Sequence, residues 1–404
     1  MLREEFITAV LGLEDFYAME GELKEDGSIE LEVELRWDVA LCVKCHHACG
    51  SVVEYRPRRM RDLSISGRAV YVRFEQRRFR CPRCGISFLE RLQSSDSPGV
   101  HYTKRYEEWV ARQVNQSTVE AVAEQEGLSW DGVQYILVRV AVRKGLLKSP
   151  AVVRWVAFDE IALKKRHKQY VLVISAPELG RVLAVLPQRT KAVLKKWLED
   201  TWTDAQRRQV EVVSIDMWDG YFHAALESLP AALIVIDRFH VQKNLLEAIT
   251  KLRRQIQKQL SEKQRQALKG MRWLIVRNYD ELDTADRKKL DRALDRCPEL
   301  ALCHAMKEDF RDWYEEEEHD VETAHQALES WKEQAKRLGS QAMNNFVQTV
   351  ENWQEWILNY FVERASNGFA EGLNGALQRL KNKAYGFRNV DNFRLRALLL
   401  HAFS

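Results

Sequence analysis

The chain has 404 residues, of which 46% are hydrophobic and 30% are charged, and its formal net charge is +3. This length is sufficient for two to four domains with a sizeable core, and the small net charge does not by itself indicate a nucleic-acid partner. No apolar run approaches the roughly 20 residues of a membrane helix, so we expect a cytoplasmic protein that does not associate with membranes.

Residues 1–95 predict a small N-terminal module. Residues 1–24 have the pattern of a short helix and a connection, and residues 25–95 that of short strands, in runs such as SIELEVELRW and AVYVRFEQRRFRC. Two C-x-x-C pairs lie within it, and seven cysteines in a reducing compartment favour a metal or free thiols over disulfides. Four thiolates suit tetrahedral zinc, so we predict a structural zinc ion bound by Cys42, Cys45, Cys81 and Cys84, with Cys49, His46 and His47 as spare ligands.

The local charge of this module is strongly positive. Residues 54–84 contain ten arginines and three acidic residues. Such an asymmetry is typical of a surface that binds a polyanion, because arginines add phosphate affinity without sequence preference. A solvated charged face is the alternative. The predicted DNA contacts in this stretch are Arg73, Arg77, Arg78 and Arg80.

Helical patterns between residues 103 and 146 predict a helix-turn-helix domain over residues 96–150. Ser117 or Thr118 can cap one short helix, Gly127 interrupts the chain, and Ser129 can cap the next helix. In a helix-turn-helix, base or phosphate contacts would come from Gln134 and Arg139. A plain helical hairpin is the alternative.

Residues 151–240 alternate between strand-like and helical patterns. The strand-like runs fall at 152–158, 169–175, 181–187, 210–216 and 232–237, and helical patterns separate the last three runs. This alternation indicates an α/β sheet with some parallel pairing.

Three aspartates follow apolar runs of this predicted sheet: Asp159, Asp216 and Asp237. We expect the first strand to end at Asp159. Each aspartate alone can be a strand-end cap, but three in one small sheet indicate a site for hard divalent cations, which prefer oxygen ligands. Two such ions roughly 4 Å apart can support displacement at phosphorus.

The remaining chain is helical in pattern. Residues 241–365 are highly charged, and residues 366–404 begin with SNG and continue as a basic helix and a second short one. Asn367, Glu371 and Asn374 recur at a spacing that places them on one helix face, so Glu371 is a candidate fourth carboxylate. The basic residues that suit the DNA backbone here are Arg379, Lys381, Lys383 and Arg388.

The order of these features, with the segments FDE, SIDMWDGY, VIDRFHVQKN and SNGFAEGLNGALQRLKNKAYGFRN, resembles bacterial insertion-sequence transposases of the ISL3 family, within the DDE superfamily. The resemblance covers essentially the whole chain. It implies a multidomain α/β protein: a zinc-ribbon-like module, a helix-turn-helix, and a ribonuclease-H-like catalytic domain (151–240 and 366–404) that a helical insertion (241–365) interrupts. In that fold the first three strands are antiparallel, and the fourth lies beside the first.

The resemblance also implies roles for single residues. Asp159, Asp216 and Glu371 would bind two Mg²⁺ or Mn²⁺ ions, with Asp237 as the alternative second acid. The implied partners are double-stranded DNA, as terminal inverted repeats and target, and a second copy of the chain or a larger synaptic complex near the nucleoid. Supporting roles fall to Glu160, Asp219, His240, Asn367 and Asn374.

Three other functions fit part of the sequence. A transposase-derived DNA-binding regulator would not need the full set of acids. A ribonuclease-H-like nuclease or junction resolvase would not need two N-terminal DNA-binding modules. A glycoside hydrolase uses a pair of carboxylates, but that activity leaves the zinc site, the helix-turn-helix and the basic stripes without a purpose.

Overall fold

The structure is a computed structural model that describes residues 8–9, 11–96, 99–150, 152–164, 169–262, 265, 270–318, 320–364, 368–387 and 389–403, with the backbone alone for residues 164 and 368–371. The chain forms two compact units. Unit 1 comprises residues 1–148 and 377–404, and unit 2 comprises residues 149–376. The predicted domain that began at residue 366 is therefore divided between the two units, and the remaining predicted boundaries stay predictions.

Unit 1 contains a twisted sheet in the order β1-β2-β6-β5, with β7 paired to β6. Its strands are β1 (Phe16–Leu23), β2 (Ile29–Leu35), β5 (Val52–Ile65), β6 (Arg68–Arg80) and β7 (Ser87–Leu89), while β3 (Ala40–Leu41) and β4 (Ala48–Cys49) form a separate pair. The expectation of only a helix and a connection before residue 24 was wrong, because β1 lies there; strands follow as expected, although β5 and β6 are long rather than short. Alternate residues of β6, including Val72 and Phe74, are buried, and the Phe74 ring lies 4.9 Å from that of Phe16, so long strands complete this core.

Three helices follow: α1 (Lys104–Gln116), α2 (Val119–Glu126) and α3 (Trp130–Arg143). The side chain of Thr118 caps α2 and that of Ser129 caps α3, and Gly127 ends α2 in the left-handed region with φ 63°. The buried residues of α3 are apolar and recur every three to four positions. The predicted helix-turn-helix pattern is thus present.

The last helix, α14 (Val390–Leu399), packs in unit 1 against α1 and α3. Arg396 is only 2% exposed and donates hydrogen bonds to the carbonyls of Val114 and Ser117, the second at 2.8 Å. Asn115 donates to the carbonyl of Leu399 at 3.0 Å. Carbonyl groups at the end of a helix lack partners within the helix, so Arg396 satisfies the end of α1 and ties the C-terminal segment to this unit.

Unit 2 contains a five-stranded sheet in the order β10-β9-β8-β11-β12. Its strands are β8 (Trp155–Lys164), β9 (Gln169–Ala176), β10 (Arg181–Leu186), β11 (Val212–Ile215) and β12 (Leu233–Ile236). The first three pair antiparallel, and β11 pairs parallel with both β8 and β12. Helices α4 (Lys191–Thr201) and α5 (Asp204–Arg207) precede β11, and α6 (Asp219–Ser228) precedes β12.

The rest of unit 2 is helical, as expected. The helices are α7 (Arg238–Gln259), α8 (Arg272–Val276), α9 (Thr284–Leu294), α10 (Pro298–Glu315), α11 (Val321–Arg337), α12 (Gln341–Leu358) and α13 (Gly368–Lys383), whose last turns belong to unit 1. Trp313 and Trp331 are buried, and their indole N–H groups donate to backbone carbonyls at 2.9 Å. In the described part of the chain, none of the helices has the length and hydropathy to cross a bilayer.

Candidate active site

Three aspartates lie at one level across three neighbouring strands of unit 2. Ser214 pairs with Ala157 and Ile215 with Ile236, and this register places Asp216 beside Asp159 on one side and Asp237 on the other. The backbone N–H of Asp237 also donates to the carbonyl of Ile215 at 2.8 Å. Since parallel strands present their carboxyl ends at the same edge of a sheet, the three carboxylates share that edge.

The prediction that the first strand ends at Asp159 was wrong. Strand β8 continues to Lys164, and Asp159 and Glu160 pair with Val173 and Leu172 of β9. What ends near Asp159 is the pairing with β11, whose last partner in β8 is Ala157. The backbone of Asp159 is therefore held by β9 on one side, and the neighbouring strand stops on the other.

Asp159 is positioned by two donors. Its Oδ1 accepts a hydrogen bond from the N–H of Glu160 at 2.5 Å, and its Oδ2 accepts one from the side-chain amide of Asn374 in α13. Burial raises the pKa of Asp159 above its usual range, although the charge of His240 and these hydrogen bonds act in the opposite direction. The fold thus holds the Asp159 carboxylate in a position where water solvates its negative charge poorly.

Asp216 follows β11 directly. Its Oδ1 accepts from the N–H of Met217 at 2.7 Å, and its Oδ2 lies 3.5 Å from Nε2 of His240. Burial is again the largest cause of a raised pKa, and it outweighs the favourable charge of His240 and the hydrogen bond from Met217.

Asp237 directly precedes helix α7. It caps α7, with Oδ1 accepting from the N–H of Phe239 at 3.0 Å, and its Oδ2 lies 3.2 Å from Nδ1 of His240. Burial lowers the pKa of His240, but the hydrogen bond with Asp237 and the charges of Asp216 and Asp159 outweigh it and raise that pKa to about 9. A charged His240 therefore lies between Asp237 and Asp216.

The other predicted residues near this edge have mixed positions. Glu160 forms an ion pair with Arg189, a partner that no sequence pattern indicated, and Asp219 is an exposed residue in the first turn of α6. Glu371 lies in α13, three residues before Asn374, and its side chain is outside the described part of the structure. Asn367 and Arg388 lie outside the described residues.

The donor set fits a hard cation. Among the described side chains, no arginine or lysine lies within ion-pair distance of Asp159, Asp216 or Asp237, and His240 is their cationic neighbour. Several buried carboxylates at one site repel one another unless a positive charge joins them. Oxygen ligands of this type are those that Mg²⁺ and Mn²⁺ prefer.

The four predicted zinc ligands converge in unit 1. Their sulfur atoms all lie within 4.8 Å of one another, with 3.5 Å between Cys42 and Cys84 and between Cys45 and Cys81. Four thiolates about 2.3 Å from one zinc ion would lie roughly 3.8 Å apart in a tetrahedron, so the spacing fits this metal. Cys49 lies outside the group and contacts the carbonyl of His47, so the spare ligands are not needed.

Each cysteine pair sits in the same tight turn. The N–H of Cys42 donates to the carbonyl of His47, and that of Cys81 donates to the carbonyl of Ile86, both at 2.9 Å. The residue after each pair, His46 or Gly85, has a positive φ, 56° and 74° respectively. Two equivalent turns that face each other are what a four-cysteine metal site requires.

The predicted DNA contacts divide into engaged and accessible residues. Arg77 is paired with Glu90 at 2.7 Å and Arg139 with Glu107 at 2.6 Å, so both guanidinium groups are committed within unit 1. Arg78 lies 3.3 Å from Glu54, and Gln134 and Lys381 are half-buried. The exposed candidates are Arg73, Arg80, Arg379 and Lys383.

Comparisons with known proteins identify the class and then the family. Residues 156–397, more than half of the chain, match a family described as a transposase, and residues 97–141 match the helix-turn-helix domain of transposase family ISL3. The protein is thus a DNA-binding transposase with a DDE catalytic domain, an enzyme that cleaves and transfers DNA. It belongs to transposase family ISL3, which confirms the resemblance seen in the sequence.

Individual relatives agree. The chain is 30% identical to the transposase for insertion sequence element IS1001 of Bordetella parapertussis, over 98% of both chains. It is 24% identical to the transposase for insertion sequence element IS1557 of Mycobacterium tuberculosis (strain ATCC 25618 / H37Rv), over 82% of this chain and 79% of the relative. Among solved structures, the Drosophila P element transposase strand transfer complex matches with a TM-score of 0.37 and 12% identity, over 74% of this chain and 92% of the other.

Proposed function

We propose that this transposase binds the terminal inverted repeats of an insertion sequence and catalyses metal-dependent cleavage and strand transfer with Asp159, Asp216 and Glu371. The observation that carries the proposal is the shared level of Asp159 and Asp216 at one sheet edge, with no lysine or arginine paired to either among the described residues. Because the family consists of transposases, the substrate that we propose for this sheet edge is DNA.

The strand arrangement supports a ribonuclease-H-like catalytic domain. The order β10-β9-β8-β11-β12, with three antiparallel strands followed by two parallel ones, is the arrangement expected from the family resemblance. A zinc-ribbon-like module in unit 1 is supported by the two opposed cysteine turns. The proposed domain limits remain those predicted from the sequence.

Asp216 is the better second acid. One carboxylate oxygen of Asp237 caps α7, and the other contacts His240. Asp216 uses one oxygen for its own backbone turn and has the other 3.5 Å from His240, which leaves more of its acceptor capacity for a ligand. Asp237 then acts as the residue that orients His240, and His240 in turn orients Asp216.

The residues of the chain position the reaction. When bound, two Mg²⁺ or Mn²⁺ ions would activate the attacking oxygen and neutralise charge on the leaving oxygen. Asp159 and Asp216 would hold them, Asn374 fixes one oxygen of Asp159, and Glu371, one turn earlier in α13, would supply the third carboxylate. Water first displaces the 3′-oxygen at the element's end, and the freed 3′-hydroxyl then attacks a target phosphodiester, so one set of carboxylates serves two in-line displacements.

DNA recognition would come from unit 1. Gln134 of α3 would contact a base, while Arg73, Arg78 and Arg80 would contact phosphates. Arg379, Lys381 and Lys383 of α13 would add backbone contacts near the active-site helix. Because two ends of an element must be joined, we further propose a homodimer or larger synaptic assembly as the active form.

The test is cleavage of a labelled duplex that carries the element's own end, in Mg²⁺ and in EDTA, with DNA binding measured in parallel. We expect Asp159→Asn, Asp216→Asn and Glu371→Gln to reduce cleavage by about a thousandfold or more and to retain binding. The matched control is Asp200→Asn, an exposed aspartate of α4 in the same unit, which should cleave within about threefold of the wild type. A wild type that binds the end and never cuts it would instead indicate a DNA-binding regulator.

A further inference from the structure

An aromatic pocket of about 410 Å³ lies beside Asp216 in unit 2. The chain leaves β11, forms Asp216, and turns so that the N–H of Trp218 donates to the carbonyl of Asp216 at 2.7 Å. The pocket wall begins with the next residues, between α6 and α12. Its aromatic walls are Trp218, Phe222, Trp353 and Trp356, and its polar rim includes His223 and Asn352.

Three rings of the pocket contact one another. Phe222 meets Trp356 edge to face at 4.5 Å between ring centroids, and it meets Trp353 in the same manner at 5.5 Å. Trp353 and Trp356 lie edge to face at 5.5 Å. Such contacts hold rings in defined orientations, so these three rings form a fixed wall of the pocket.

Trp218 is only partly packed into the core, where its ring meets the buried Tyr221 edge to face at 4.4 Å between ring centroids. It occupies the N-cap of α6 without a capping hydrogen bond, where Ser, Thr, Asp or Asn is usual, and it is 39% exposed. Its ring lies over the backbone of Gly220, so closely that a Cβ added at Gly220 would be 2.7 Å from Cζ2 of Trp218. Glycine at 220 therefore permits a large aromatic face at the surface beside the proposed metal ligand.

We propose that the aromatic pocket receives one nucleobase, extruded from the DNA stack next to the scissile phosphate, and that Trp218 stacks on it. The inference rests on the proposed function, which places that phosphate at Asp216. The volume suits a small planar ligand, aromatic faces bind bases of any sequence, and His223 and Asn352 can hydrogen-bond to a base edge. Extrusion would bend the strand at the site of attack and fix the phosphate for in-line displacement.

The experiment compares cleavage of a fully paired element end with cleavage of ends that carry one mismatch, moved through each position flanking the cut. We expect Trp218→Ala to slow cleavage of the paired end about 5- to 100-fold, because base stacking is lost, and Trp218→Phe to retain most of the rate. Gly220→Ala should reproduce the defect, because it displaces the Trp218 ring. The control Trp273→Ala, at a 64% exposed tryptophan of the same unit, should have no effect.

A mismatch at one position should restore the rate of Trp218→Ala, since the base there is already unpaired. In the inactive Asp159→Asn background, 2-aminopurine at that position should change its fluorescence on protein binding, and Trp218→Ala should remove the change. A Trp218→Ala enzyme that cleaves at the wild-type rate, or a defect that no mismatch relieves, would overturn the pocket's role alone. A wild type that cuts no end in Mg²⁺ would overturn the proposed function and this inference together.

Discussion

The two units neutralise their acids differently. In unit 1 several buried carboxylates face arginines: Glu107 contacts Arg139 and Arg143, and Glu126 contacts Arg61 at 3.3 Å. In unit 2, among the described residues, Asp159, Asp216 and Asp237 face one another and a single histidine. Charge is neutralised within the chain in the first case, whereas in the second one histidine faces three aspartates, an arrangement that fits the binding of a cation.

This difference separates arginines that build the fold from those available to DNA. Arg61 and Asp62 of β5 pair with Glu126 and Arg105 in the helices, so ion pairs join the four-cysteine module to the helix-turn-helix. The exposed arginines are those that we propose to contact phosphates, where each would contribute mainly salt-dependent affinity.

Removal of a paired acid from unit 1 should have the largest effect on the free energy of unfolding. Glu107→Gln leaves Arg139 with Asp96, and Arg143 with Asp96 and the more exposed Glu108, as ion-pair partners. We expect the free energy of unfolding to fall by about 3 kcal/mol. Urea unfolding measures this loss. The matched control is Glu108→Gln, whose side chain is 32% exposed and whose change should stay within about 0.5 kcal/mol. Equal effects of the two variants would show that the Glu107 pair is not structural.

The aspartates of unit 2 should respond with opposite signs. Asp237→Ala removes the cap of α7 and should lower the free energy of unfolding by about 0.5–2 kcal/mol. Asp216→Asn should raise it in metal-free buffer, because burial raises the pKa of Asp216 and so penalises its charged form in the folded state. Thermal unfolding in EDTA distinguishes them. If Asp216→Asn also lowers the free energy of unfolding, the Asp216 carboxylate is neutralised within the fold, and the proposed difference between the two units is wrong.

A smaller effect concerns pH. Burial lowers the pKa of His304 in α10 to about 4, so the unfolded chain, in which a histidine has its ordinary pKa of about 6.5, binds the proton more readily. The contribution of His304 is complete above pH 6.5 and is lost as the pH falls toward 4. We expect wild type to lose about 1 kcal/mol more than His304→Gln between pH 7 and 5.5. His325→Gln, at a 41% exposed side chain, is the control and should follow the wild type.

Features that depend on residues close together in the sequence could be predicted from local patterns. The strand runs, the caps at Thr118 and Ser129, and the paired cysteines follow from residue types within a few positions of one another. The shared level of Asp216 and Asp237 was also accessible, because each follows a strand and these parallel strands end at one edge. Asp159 lies within β8, at the point where its pairing with β11 has ended.

Contacts between distant residues could not be predicted in this way. Arg139 pairs with Glu107 in a preceding helix, so its spacing alone suggested a DNA contact. Arg396 binds carbonyls of Val114 and Ser117, nearly 300 residues earlier, and this separation hid the place of the last helix in unit 1. The aromatic pocket joins α6 to α12 in the same way, and the sequence showed only scattered tryptophans.

The acids at the sheet edge of unit 2 should bind divalent metal, and iron-directed cleavage of the protein tests this claim most directly. Fe²⁺ bound in place of Mg²⁺, with ascorbate and peroxide, cuts the backbone near its ligands, and mass spectrometry locates the cuts. We expect cuts at residues 159, 216 and 371 that Mg²⁺ suppresses, that disappear in the Asp159→Asn, Asp216→Asn double variant, and that persist in Asp200→Asn. Cuts elsewhere in the chain, or cuts at these residues that the double variant leaves unchanged, would contradict the claim.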